Sequence, residues 1–137
     1  MDPVVLVGTQ VDGLCILDVR RSVDGIPQAA SFAIKKPGLS AATWAHELGD
    51  FGRFLALLES IDRDWRGWAG TRQWADLEGS VTITAVHTGS HVRFTVELHH
   101  GVSWTARTDI DVGRRRHHEC SAGSSIRLRI ARGERHA

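Results

Sequence analysis

Three side chains of the kinds that bind metal ions stand close together near the end of the sequence: His117, His118 and Cys120. A structural zinc site takes four cysteine or histidine ligands, usually arranged as spaced pairs. The sequence offers no evident fourth ligand beside these three. We therefore expect no metal site and no cofactor, and we interpret the cluster as part of a solvated basic segment.

The residues capable of catalysis are scattered along the chain. Asp62 and Asp64 stand at the end of a predicted helix, and two carboxylates need a cleft before they can work as an acid–base pair. Cys15 lies in an apolar run, where a cysteine commonly behaves as a small core residue. GxSxG, HExxH and glycine-rich phosphate-binding motifs do not occur in the sequence. The sequence predicts a protein that is not an enzyme.

Charged side chains recur at every second position in the second half of the chain. Residues 81–85, 92–98 and 104–112 each alternate between apolar and polar side chains. Strict alternation is typical of a strand with one buried and one solvated face. We predict a three-stranded antiparallel meander whose outer, polar face is exposed to solvent.

Four charged residues on this outer face are our candidate partner-binding residues. If Leu98 lies opposite Trp104, Arg93 faces Asp109, and Glu97 is diagonal to Arg107. A flat face with charges of both signs is ordinarily only solvated. It is also the arrangement with which a protein inhibitor offers electrostatic complementarity to one partner. The proposed partner-binding set is Arg93, Glu97, Arg107 and Asp109.

Three of the five tryptophans fall within eleven positions, at Trp65, Trp68 and Trp74. Each indole can bury a large area and needs a partner for one N–H group. We interpret the three as a structural junction between the helix and the following strands. Exposed indoles that bind a partner, or that stack on sugars or nucleobases, are the alternatives.

The element that positions these tryptophans is a predicted helix. Apolar residues recur at spacings of three and four from Phe51 to Trp65, which indicates one buried stripe. Asp50 is the expected N-cap. Gly67 and Gly70 are expected to end the helix, and a further short helical turn is predicted over residues 72–77.

The first half of the chain predicts strands over residues 4–7, 14–20, 29–35 and 39–46. Pro37 and Gly38 suit the two central positions of a type II turn, which pairs Lys36 with Leu39. The predicted fold class is α+β. It contains an antiparallel sheet, formed by the N-terminal strands and the C-terminal meander, with one main helix packed against it.

Residues 54–98 carry a resemblance to a known family. They run FLALLESIDRDWRGWAGTRQWADLEGSVTITAVHTGSHVRFTVEL, an apolar helix followed by WRGW, a further tryptophan, LEG and alternating strands. Over about residues 29–112 the chain resembles an uncharacterised actinobacterial family, a domain of unknown function. This resemblance implies a fold and no catalytic residues. The order of elements is more loosely similar to immunity proteins of the WapI-associated type, which neutralise bacterial toxins.

The charge distribution divides the chain in two. Residues 1–112, the predicted α+β domain, carry ten basic and 14 acidic side chains. Residues 113–137 carry seven arginines and two glutamates, and we predict a basic tail there with an edge strand over 125–131. A basic tail can bind nucleic acid. No aromatic residue follows Trp104 to stack on bases, so we expect no nucleic-acid partner.

The composition predicts a cytoplasmic protein. The first residues show no basic segment before the apolar run, and no apolar stretch approaches the length that spans a bilayer. The two cysteines are far apart, which disfavours a disulfide framework. We therefore expect no membrane contact.

These observations favour a non-catalytic cytoplasmic protein-binding module, and an immunity protein against a bacterial toxin is one specific form of it. The alternative is an accessory protein that binds a small molecule in a pocket near Trp44 and Trp68, or nucleic acid through the basic tail.

Overall fold

The computed structural model describes residues 3–113. Eight strands and one helix follow one another in this part of the chain. They are β1 (Val4–Gly8), β2 (Gly13–Arg21), β3 (Pro27–Lys36), β4 (Leu39–His46), α1 (Gly52–Arg63), β5 (Thr71–Ala75), β6 (Val81–His87), β7 (His91–His100) and β8 (Trp104–Gly113). The predicted basic tail and the predicted strand over 125–131 lie outside the described residues.

The strands form two antiparallel sheets of four strands, ordered β1-β2-β3-β4 and β5-β6-β7-β8. The predicted α+β class with one main helix is confirmed. The N-terminal strands and the meander form two separate sheets, whereas the sequence predicted one. The described residues contain no helix that is long and apolar enough to cross a membrane.

The hairpin of β3 and β4 has the predicted register. Lys36 lies opposite Leu39, and Phe32 lies opposite Thr43. Gly38 between the two strands has a φ of 81°, which glycine adopts without the strain that a side chain would cause. The prediction from the Pro37–Gly38 turn is therefore confirmed.

One hydrophobic core is shared by both sheets and the helix. An aromatic cluster lies at its centre: the rings of Phe54 and Trp74 are 4.9 Å apart, and Phe32 packs against both. Hydrogen bonds also join the sheets; Thr43 Oγ1, for example, donates to the His99 carbonyl oxygen at 3.0 Å. The inner faces of the two sheets therefore meet in a common interior.

The helix begins differently from the prediction. Its N-cap residue is Phe51, and the cap makes no side-chain hydrogen bond, so the prediction of Asp50 as N-cap is wrong. Asp50 lies one residue before the N-cap, and its carboxylate still accepts a hydrogen bond from the Gly52 N–H at 2.8 Å. Phe51 occupies the cap position because its ring is buried against Phe54 and Trp74. Packing of the aromatic ring therefore decides where the helix starts.

The short helical turn predicted over residues 72–77 is wrong, because residues 71–75 form the strand β5. Trp74 lies opposite Ile83 of β6 and points into the core, whereas Thr71 and Gln73 are exposed. Pairing with β6 thus imposes the period of two that a strand requires. The meander predicted from the sequence gains β5 as a fourth strand.

Candidate functional site

The outer face of β7 and β8 carries the four predicted partner-binding residues. The register predicted between these strands is wrong by two positions, because Leu98 lies opposite Ala106 and not opposite Trp104. His100 pairs with Trp104 across a three-residue connection in which Gly101 has a φ of 55°. The turn is thus tighter than predicted. A shift of two residues leaves every side chain on its predicted face.

The corrected register changes which charges meet. Glu97 lies directly opposite Arg107, and Asp109 lies opposite Thr95, whose hydroxyl donates to the Asp109 carboxylate at 2.8 Å. Arg93 lies opposite Asp111 and donates to it at 2.9 Å. The partner of Arg93 is therefore Asp111, and the predicted pairing of Arg93 with Asp109 is wrong.

Hydrogen bonds hold most of this face in place. Glu97 Oε1 contacts His99 Nε2 at 2.8 Å, and His99 Nδ1 contacts the Thr105 hydroxyl at 3.0 Å. The carboxylate of Asp111 accepts a hydrogen bond from Arg93 and raises the pKa of that guanidinium. Among residues 3–113, the exposed Arg107 forms no ion pair or side-chain hydrogen bond. Arg107 is the outer-face cation that remains available.

Trp74 lies deep in the core, where it is 3% exposed. Its indole N–H donates to the carboxylate of Glu47 at 3.2 Å. The Glu47 side chain is itself 4% exposed, and Arg53 contacts both of its oxygens at 3.0 Å. The burial of Glu47 was not predicted, since a single glutamate after a strand carries no local signal of burial.

Trp65 and Trp68 follow the end of the helix. Trp65 is 9% exposed, and its carbonyl oxygen contacts His87 Nε2 at 2.9 Å. Trp68 is half-buried: its ring packs edge-on against His87 and lies 4.6 Å below the guanidinium of Arg72. The Trp68 Nε1 atom is buried and has no hydrogen-bond partner among the described residues.

Asp64 and Arg72 connect the end of α1 with β5. Arg72 donates to the Asp64 carboxylate and to the Ser60 carbonyl oxygen, both at 2.8 Å. Hydrogen bonds from Arg63 and then Arg72 lower the pKa of Asp64. Asp64 is therefore a partner of two arginines at the helix terminus.

The pocket suggested near Trp44 and Trp68 involves two indoles on separate elements. Trp44 lies on β4, and the guanidinium of Arg20 covers its ring at 4.2 Å. Trp68 lies in the segment after α1, beneath Arg72. Each indole thus has one face occupied by an arginine of the same chain.

A cleft lies where the end of β4, the start of α1 and the turn after β5 meet. We call it the Leu48–Leu77 cleft. Its volume is about 540 Å³, and its lining includes Glu47, Leu48, Asp50, Arg53, Asp76 and Leu77. This site was not predicted from the sequence, because its residues come from three separate segments and form no motif.

The residues considered for metal binding and covalent catalysis are placed as follows. Residues 3–113 contain no group of three or more His, Cys, Asp or Glu side chains that could hold a metal ion. The cluster of His117, His118 and Cys120 lies outside that range. Cys15 is buried, and its burial raises the pKa of the thiol, which lowers the fraction of reactive thiolate.

Comparison with known families identifies the group to which this sequence is related. The model of a family of unknown function, DUF6228, matches residues 8–122. The chain belongs to this family. The match begins at Gly8, the last residue of β1, and covers β2 to β8 and α1; it extends beyond residues 29–112 on both sides. No curated protein and no solved structure matches the chain. Membership in DUF6228 therefore supplies no substrate, ligand or partner.

Proposed function

We propose that the protein is a non-catalytic, cytoplasmic protein-binding module whose partner contacts the outer face of β7 and β8. The observation that carries this proposal is the state of Arg107. This guanidinium is exposed at the centre of a strand and has no ion pair within residues 3–113, although Glu97 lies directly opposite. Glu97 instead contacts His99. Arg107 can therefore accept a carboxylate from another protein without losing an internal bond.

The surroundings of Arg107 favour a protein partner. Cross-strand contacts fix the neighbouring charges in place, including the Arg93–Asp111 pair at 2.9 Å and the Thr95–Asp109 bond at 2.8 Å. Side chains that are already ordered lose little conformational entropy when a partner binds. A rigid surface with charges of both signs also speeds association with a complementary surface and rejects others.

The specific form of this proposal is an immunity protein that neutralises a bacterial toxin. Its support is the order of strands and helix, which is loosely similar to that of WapI-type immunity proteins. We also infer an actinobacterial source, because 15 arginines against two lysines are typical of GC-rich coding sequence. If a neighbouring gene encodes a toxic secreted protein, co-expression with this protein should restore the growth that the toxin alone prevents.

Affinity purification of the full-length protein from its native host tests the proposal. The partner captured by the wild type is identified by mass spectrometry and quantified with two variants, Arg107→Glu and Arg66→Glu. Arg66 is exposed and lies after α1, away from the outer face, so its variant is matched in charge change. We expect the wild type to capture a stoichiometric protein partner. The captured amount should be unchanged with Arg66→Glu and should fall at least about tenfold with Arg107→Glu.

Two results would count against the proposal. A partner retained equally by both variants would remove Arg107 from the interface. A wild-type protein that is recovered alone, and whose melting temperature rises with a small molecule, would favour the accessory-protein alternative. Circular dichroism of each variant verifies that the fold is intact.

A further inference from the structure

The Leu48–Leu77 cleft presents two large apolar side chains to solvent. Leu48 is 80% exposed and Leu77 is 55% exposed, although apolar residues of this size are normally buried. Both lie in the lining of the same cleft. Two leucines exposed together at one depression are a feature of surfaces that contact other proteins.

The two leucines are held in position by hydrogen bonds between their turns. The His46 N–H donates to the Asp76 carboxylate at 2.9 Å, and the Leu77 N–H donates to the His46 carbonyl oxygen at 2.9 Å. The Gly79 N–H donates to the Asp76 carbonyl oxygen at 3.1 Å, and this hydrogen bond closes the turn over residues 76–79. Leu77 is therefore fixed at the tip of a closed turn, and Leu48 follows two residues after the His46 junction.

The charge of the cleft is negative. Its lining contains the exposed carboxylate of Asp50, the buried carboxylate of Asp76, and the Glu47–Arg53 ion pair, whose two charges offset each other. Glu78 lies beside the cleft, 3.3 Å from the His46 ring, and adds a further carboxylate. Charges of one sign in a concave surface focus the electrostatic potential and attract the opposite charge.

We propose that the Leu48–Leu77 cleft is a docking site for a segment of a partner protein in which arginine or lysine alternates with apolar side chains. The basic side chain enters beside the exposed carboxylate of Asp50, and its apolar neighbours pack on Leu48 and Leu77. Asp76 is less available to the ligand, because its two oxygens accept the backbone N–H groups of His46 and Val81.

This surface is separate from the outer face of β7 and β8. The cleft is formed by the end of β4, the start of α1 and the turn after β5, and none of the four predicted partner-binding residues lines it. The inference therefore goes beyond the proposed function. Charge reversal at Arg107 should leave binding at the cleft unchanged, so the two ideas can fail independently.

Fluorescence anisotropy with a labelled peptide tests the docking site on the full-length protein. The probe is GLRLRLG, with GLELELG as the charge control and GSRSRSG as the apolar control. We expect wild type to bind the probe at least about tenfold more tightly than either control peptide, which corresponds to about 1.4 kcal/mol. Binding of the probe should weaken as salt is raised, because the Asp50 contact is exposed.

A matched pair of double variants assigns the binding to the cleft. Leu48→Ser combined with Leu77→Ser should lower the affinity for the probe at least about tenfold. Val11→Ser combined with Val102→Ser removes two exposed apolar side chains elsewhere and should leave the affinity for the probe unchanged. Equal affinity of both double variants, or equal binding of the three peptides to wild type, would overturn the proposal.

The same measurements distinguish two other possible occupants of the Leu48–Leu77 cleft, which are the chain's own basic segment and a second copy of the protein. Residues 126–130 read IRLRI and have the same chemistry as the probe. If the probe binds only after Arg127 and Arg129 are both replaced by serine, the cleft is occupied by the chain's own basic segment and the partner proposal is wrong. Self-association that the leucine double variant abolishes would assign the cleft to a second copy, with the same consequence.

Discussion

Replacing Glu47 by alanine removes the acceptor of a buried indole N–H group. In the wild type the Trp74 Nε1–H donates to Glu47 at 3.2 Å, at a site where both side chains are almost completely buried. Alanine leaves that N–H without an acceptor inside the core. Glutamine retains a side-chain oxygen at this position and loses only the charge.

The expected cost follows from these contacts. An unsatisfied buried N–H costs about 1–3 kcal/mol, and the lost methylene adds about 0.8 kcal/mol. Arg53 is 66% exposed, so its ion pair with Glu47 contributes less than about 1 kcal/mol, and it can be solvated after the change. We expect Glu47→Ala to lower the free energy of unfolding by about 3 kcal/mol and Glu47→Gln by about 1 kcal/mol.

Urea unfolding followed by tryptophan fluorescence measures this difference. With a slope of about 2 kcal/mol per molar urea, the midpoint should fall by about 1.5 M for Glu47→Ala and about 0.5 M for Glu47→Gln. Glu59→Ala, on the exposed side of α1, should shift it by less than about 0.3 M. If glutamine destabilised the protein as much as alanine, the charge and not the acceptor would be decisive, and our reasoning would be refuted.

Three further predictions concern acid stability, a close backbone approach and thiol burial. Hydrogen bonds from Arg63, and then from Arg72, lower the pKa of Asp64 in the folded protein. The stability that these hydrogen bonds contribute is therefore present above pH about 4 and is lost as the pH falls through the lowered folded-state pKa, so Asp64→Asn should reduce the loss of stability in acid. An NMR titration that gave Asp64 an ordinary pKa would contradict this prediction. A Cβ at Gly13 would overlap backbone oxygens of β1 and the following turn, so Gly13→Ala should cost about 3 kcal/mol or more in thermal unfolding, whereas Gly25→Ala, with open space around it and a φ of 82°, should cost about 1 kcal/mol. In a Cys120→Ser variant, Cys15 should react with a thiol reagent only as fast as the protein unfolds, because its thiol is buried. Rapid labelling of the native protein would show that the Cys15 thiol is accessible and would contradict this prediction.

The predictions that succeeded rest on local chemistry. The β3–β4 register follows from the Pro37–Gly38 turn together with alternation in the flanking residues, because turn geometry and side-chain period agree. The strand β5 was missed because five residues are too few to reveal a period of two. Pairing with β6, which places Trp74 opposite Ile83, decides its conformation.

The candidate site was predictable only in part. Alternation placed Arg93, Glu97, Arg107 and Asp109 on one outer face, and an error of two positions does not change that face. The individual pairs depend on the connection at Gly101, whose tightness has no clear signal in the sequence. The buried Glu47 and the Leu48–Leu77 cleft were not predictable at all, since both are created by contacts between distant segments.

The strand order of the two sheets has a consequence for how the chain folds. Within residues 3–113, every hydrogen-bonded strand pair joins strands that are adjacent in sequence, so each sheet closes only short loops as it forms. Such local pairing is associated with faster folding than the long-range pairing of a Greek-key sandwich. Each half of the chain can thus build its own sheet early. We expect the later step to be the packing of the two sheets and α1 against one another, which brings Phe32 of the first half into contact with Trp74 of the second.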